Sequence, residues 1–186
     1  MNYIDRSATY IAQSIRKHNK NAGSEIALKY ALTLLINTSS AIIVSLIICT
    51  LTDRFIYAML SIVGFLVLRY FSGGLHLSSS FSCCLFSTCL ITLVAHSSFL
   101  YFNLGFIINC IAFIILCKTA PNGIKGVSRI KPKYYPLLKL IALCIVSSNF
   151  YFQSSVLATV FFSQSVLTTS LAYSIKDYIE RWGQSN

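Results

Sequence analysis

Apolar residues in this chain come in long unbroken runs, not in strict alternation with polar ones. No charge interrupts residues 31–52, and the run ends at Asp53 and Arg54. Residues 55–68 follow and stop at Arg69. Residues 83–102, 104–117, 136–152 and 155–173 bring the number of such stretches to six. A helix that crosses a bilayer needs roughly 20 apolar residues, with about 17 as a lower limit. Residues 55–68 and 104–117 therefore need flanking residues, or a locally thin bilayer, to cross. Ahead of these runs, Ile4, Ala8, Ile11 and Ile15 recur at helical spacing, with Asp5, Arg6, Gln13, Arg16 and Lys17 on other faces. This pattern predicts an amphipathic helix that lies in the interface or packs on the protein's own loops. The expected fold is thus an all-α integral membrane domain of about six transmembrane helices, preceded by an N-terminal amphipathic interfacial helix. Residues 1–30 form the amphipathic cytoplasmic segment, 31–173 the bundle and 174–186 a cytoplasmic tail.

Composition supports lipid as the solvent. Only 11% of the 186 residues are charged and 55% are hydrophobic, with a mean hydropathy of +0.69. A soluble domain carries about 25% charged residues, so this chain has too little polar surface to coat itself. The net charge of +10 comes from 15 Lys and Arg against 5 Asp and Glu. These charges lie between apolar runs and not along one face, which argues for an anionic leaflet and against nucleic acid. The segment up to Lys29 holds five basic and two acidic residues, and residues 118–139 hold six basic residues and no acid. The short turns at Asp53-Arg54, Asn103 and Gln153 share a single basic residue. Six spans with both termini inside place every basic region in the cytoplasm, as the positive-inside rule requires. The seven cysteines include no CxxC pair and sit mostly in apolar runs, so a disulfide framework is not expected. A secretory signal peptide is not expected either.

The segment 69–84 is unlike its surroundings. Gly73-Gly74 lets the backbone reach positive φ, and five serines offer hydrogen bonds that compete with helix. Irregular backbone beside a membrane is tolerated only where protein or water covers it. Cys83 falls where the third span begins, so helix-end amides favour its thiolate, and His76 is the nearby base. In a straight helix these two residues, seven apart, would stand about 10 Å apart along the axis. A catalytic pair therefore requires the segment to fold back. Arg69 either snorkels to lipid phosphates or serves the chemistry by holding a substrate carboxylate or an oxyanion. Gly73-Gly74 equally suits close helix packing, which leaves open a small membrane transporter or scaffold in which Cys83 is incidental. A Cys83–Cys84 redox pair is a third reading, disfavoured by the strain of bridging adjacent cysteines. His76, Cys83 and Cys84 supply too few ligands for a metal site, and no cofactor is expected. Residues 118–139 read as a topology determinant, or as a landing site for an acidic substrate through Lys125, Arg129 and Lys131.

Arg69-x-x-x-Gly73-Gly74-x-His76-x6-Cys83 resembles the signature of the accessory gene regulator B (AgrB) family. These are bacterial membrane endopeptidases that mature peptide pheromones for quorum sensing. The length, the basic amphipathic N-terminus, the several spans and the Ala120-Pro121 step before a basic loop extend the resemblance over essentially the whole chain. Leu77 departs from it, standing where the family pattern has a small alanine. The resemblance implies a cysteine endopeptidase with His76 as general base and Cys83 as nucleophile. Arg69, Gly73 and Gly74 would serve substrate binding or the oxyanion. It implies a precursor of the autoinducing-peptide type as substrate, cleaved toward its C-terminal part and closed to a thiolactone or lactone. A homodimer in the bacterial plasma membrane, with its active site on the cytoplasmic side, is implied as well.

Overall fold

The computed structural model describes residues 3–19, 21–75, 77, 79–97, 99–124 and 130–184. The expected all-α membrane fold is present, and no strand forms among the described residues. The helices are α1 (Tyr3–His18), α2 (Glu25–Leu51), α3 (Phe55–Ser72), α4 (Ser80–His96), α5 (Phe106–Thr119), α6 (Tyr135–Phe152), α7 (Ser155–Val166) and α8 (Ser170–Gln184). A π-helical turn at Tyr101–Gly105 leads into α5, and a short 3-10 turn at Pro132–Tyr134 leads into α6.

Burial is inverted relative to a water-soluble protein. Along α2 the inward stripe is Asn37, Ala41, Ser45 and Cys49, whereas Ile43, Ile47 and Leu51 lie on the outside. The small inward residues let the α4 backbone come close. The same outward display of large apolar side chains recurs at Ile56 and Val63 of α3, Ile107 and Ile114 of α5, and Leu137 and Leu140 of α6. Such a surface belongs in hydrocarbon. The core is built from Ile62, Phe65 and Leu68 of α3, Ile91 and Val94 of α4, and Ala112 and Leu116 of α5. Ala142 and Val146 of α6 and Val160 and Phe161 of α7 complete it.

Four helical segments are long and apolar enough to cross a membrane, and five if the α7–α8 pair counts as one bent span. The expected count of six is therefore not reached by length and composition. Helix α4 has 17 residues, so it rises about 26 Å. Its last residue, His96, meets the end of α2 through a 3.0 Å hydrogen bond between Nε2 and Thr52 Oγ1. The stretch 155–173 departs most from expectation. It breaks after 12 residues, and α8 leaves at 68° to α7. The cause is a cluster of hydroxyls that bond backward to their own turn: Ser165 to Phe162 O, Thr168 to Ser165 O and Thr169 to Val166 O. Beyond the break α8 is amphipathic, with Leu171, Ile175, Tyr178 and Trp182 exposed and Lys176 paired with Asp177 and Glu180.

Helix α1 packs on α2 through Ala8 and Ala12, both fully buried. Ile11 and Ile15 stay partly uncovered, so the two alanines and not the isoleucines make the protein-facing stripe. Its start is tied to α4, because Ser80 Oγ donates to Asp5 Oδ1 at 2.8 Å.

Candidate active site

Three breaks in helix meet at one end of the bundle: the Gly73-Gly74 loop after α3, the Ala120-Pro121-Asn122 step after α5, and the α7–α8 turn. Each break frees backbone groups, and those groups find one another. Gly73 pairs with Asn122 as a parallel bridge, in which Asn122 N–H donates to Ser72 O and Gly74 N–H to Asn122 O, each at 3.0 Å. Leu75 N–H donates to Leu167 O at 3.2 Å, and Asn122 Nδ2 to Thr168 O at 2.8 Å. Thr119 and Thr168 hydroxyls bond at 2.6 Å. The irregular backbone at these breaks is thus satisfied by protein, which is the condition for its existence in or beside a bilayer.

Two long polar side chains brace the loop from beneath. Gln164 is fully buried and donates from Nε2 to Ser72 Oγ at 3.0 Å and to Gly73 O at 2.6 Å. Arg69 donates from Nη2 to Leu75 O, and from Nη1 to Gln164 Oε1 at 3.5 Å. The Arg69 guanidinium is therefore turned into the protein, beneath the loop. Gly74 takes φ +138°, and a side chain there would press on Arg69 and Gln164.

The loop ends at Ser79, which caps α4 by accepting from Ser82 N–H. Cys83 lies just inside that cap, its own N–H donating to Ser79 O at 3.0 Å. Helical side chains lean toward the N-terminus, so the thiol of Cys83 leans toward the loop. It is half-buried and free. A cavity of about 110 Å³ lies beneath it, between α2, α3 and α4, lined mainly by apolar side chains together with Arg69, Leu75 and Leu77. A wider cavity of about 350 Å³ adjoins it between α1, α2 and the start of α4, lined by Asp5, Lys29 and Tyr30 among others. Cys83, Leu77, Leu34 and Asn37 line both. Cys84, also half-buried and free, lines neither. Adjacent residues on a helix point about 100° apart, and this is how one thiol of the pair faces the cavities while the other does not.

The structure thus brings Arg69, Gly73, Gly74 and Cys83 to one place. His76, Lys125 and Arg129 lie outside the described residues, and Lys131 is exposed at the start of the 3-10 turn. The described residues Gly73, Gly74, Leu75 and Leu77 are not helical, and the placement of residue 76 relative to Cys83 lies outside the described residues. Sequence reading missed Gln164, Asn122 and Thr168, which hold the loop, and Asn37 and Asp5, which line the cavities. Polar residues inside apolar runs were the available signal, but nothing local says which of them meet.

A family model described as accessory gene regulator B matches residues 5–175. The chain belongs to the accessory gene regulator B family. Comparisons with curated proteins and with solved structures return no match. Membership supports a role in quorum-sensing peptide processing by a multi-pass membrane protein. The match takes in most of α1, which carries Asp5 to the wider cavity, as well as the bundle of this AgrB chain.

Proposed function

We propose that this chain is a cysteine endopeptidase that cleaves a pheromone precursor through an acyl-enzyme on Cys83 and promotes closure of the peptide into a ring. The carrying observation is the placement of Cys83, a free thiol in the first turn of a capped helix, at the mouth of an apolar cavity in an AgrB chain. A helix N-terminus favours an anion there.

In this reading His76 takes the thiol proton and the sulfur attacks a peptide carbonyl carbon. The C–S bond forms as the carbonyl electron pair moves onto oxygen. The pair then returns, the C–N bond breaks, and His76 passes its proton to the departing amine. The peptide is left as a thioester, which keeps the energy needed for ring closure by an internal thiol or hydroxyl. The apolar lining of the smaller cavity limits water, which favours cyclisation over hydrolysis. The natural substrate is an autoinducing-peptide precursor, met at the cytoplasmic face of the bacterial plasma membrane, and the working unit is a homodimer.

The test is to trap the thioester. Membranes from cells that co-express a candidate precursor, a short peptide with an amphipathic N-terminus, a central Cys or Ser and an acidic tail, are quenched with N-ethylmaleimide, and the fragment holding Cys83 is weighed by mass spectrometry. A peptide adduct on Cys83 that neutral hydroxylamine removes is the expected result. Cleavage proceeding with no such adduct at any time point overturns the mechanism.

The basic stretch after α5 acts in this reading as an electrostatic landing site for an acidic precursor tail. Replacing Lys125, Arg129 and Lys131 together by Gln is expected to slow processing in vesicles about tenfold at low salt, with the difference shrinking as ionic strength rises. An unchanged low-salt rate, at equal membrane insertion, would leave these residues as topology determinants alone.

A further inference from the structure

Asn37 is 7% exposed in the middle of α2, and its Oδ1 is buried without a hydrogen-bond partner. The other deeply buried amide side chains are paired. Asn109 donates to Val146 O at 3.2 Å, Asn149 to Asn109 Oδ1 at 3.2 Å, and Gln164 to Ser72 and Gly73. Buried amides are hydrogen-bonded in proteins generally, and these three follow that rule. An unpaired one costs stability, and the cost is most simply offset by a group that arrives from outside.

The position of Asn37 says which group. It is one of the few side chains that line both cavities, and Cys83 is another. Ser45, two turns further along the same inward stripe, also has an unpaired oxygen, but it lines neither cavity. Arg69 lines the smaller cavity, yet its guanidinium is engaged with Leu75 and Gln164. A carboxamide offers a donor and an acceptor on one rigid plane, which matches a peptide group.

We propose that Asn37 is a substrate-contacting residue whose carboxamide hydrogen-bonds the precursor backbone at the bond that Cys83 attacks. Nδ2 donates to the carbonyl oxygen as it becomes an oxyanion, and Oδ1 accepts from a backbone N–H of the same peptide. Preformed donors at a developing oxyanion contribute most in surroundings of low polarity, and the smaller cavity is lined mainly by apolar side chains. This inference rests on Cys83 being the nucleophile.

The test replaces Asn37 by Leu, which has the same number and branching of side-chain heavy atoms and no polar atom, and compares it with Asn37→Ala and Cys83→Ala in the full chain. Each variant is co-expressed with the same candidate precursor peptide. The readouts are the cleavage rate, the apparent thermal midpoint and the rate at which iodoacetamide alkylates Cys83. Asn37→Leu is expected to lower cleavage about a hundredfold, while the midpoint stays equal or rises and alkylation is unchanged. Wild-type cleavage by Asn37→Leu, with Cys83→Ala inactive, overturns this inference alone. Cleavage by Cys83→Ala overturns the underlying reading instead. A fall of cleavage together with a lowered midpoint in both Asn37 variants assigns the amide to packing and also overturns the inference.

Discussion

Cys83→Ala is expected to abolish precursor cleavage, by at least about 10⁴-fold, while Cys84→Ala cleaves at close to the wild-type rate. The two thiols are chemically alike and adjacent, both free and both half-buried, so only placement separates them. Cys83 faces the two cavities and Cys84 neither. On the proposed mechanism this substitution removes the covalent route altogether, because no other cysteine lines either cavity. The check is an immunoblot of precursor size in cells with matched membrane levels of each variant. Cleavage that survives in both variants would return the chain to the non-enzymatic class of small transporter or scaffold. Loss in both variants would mean that α4 tolerates no change there, and the nucleophile would then have to be sought by alkylation.

Gly73→Ala is expected to destabilise the protein by about 3 kcal/mol or more and to stop processing. Gly73 holds φ +70° and ψ −149°, a conformation close to glycine-only. A Cβ added there would run into the Asn122 carbonyl and stand 2.9 Å from the Ile124 side chain. Backbone cannot yield as a flexible side chain can, so the bridge to Asn122 would have to open. Opening it disturbs the Gly73 carbonyl bond from Gln164 and moves the loop that leads to residue 76 and to the cap of α4. Gly23→Ala is the matched control, since nothing lies within 4 Å of its added Cβ. Apparent thermal midpoints of the full chain in detergent, alongside the cleavage blot, measure both effects. A Gly73→Ala protein with wild-type midpoint and activity would show that the three-way junction does not hold the site.

Much of this was legible in the sequence because a bilayer simplifies the code. In hydrocarbon every backbone group must be satisfied within its own segment, so an uncharged run such as 31–52 reads as helix without knowledge of its neighbours. The same constraint made 69–84 conspicuous, since glycines and serines in that setting demand cover from elsewhere. Family membership followed from the order and spacing of Arg69, Gly73, Gly74, His76 and Cys83. Hydropathy failed at 155–173. It averages over a window and does not register that Ser165, Thr168 and Thr169 turn their hydroxyls back onto the helix and break it.

The sequence by itself determined the solvent, the helical class and the family. Those properties depend on composition and on near neighbours along the chain. Only the tertiary structure decided what surrounds the candidate site: Gln164, 91 residues from Gly73, holds its carbonyl, Asp5 reaches Ser80 across 75 residues, and Asn37 faces the cavities of Cys83. Pairings at such separations are set by which helix ends arrive at the same level of the bundle. That level depends on helix lengths, on the break after α7 and on the small residues that let helices approach, and no local pattern encodes the three together.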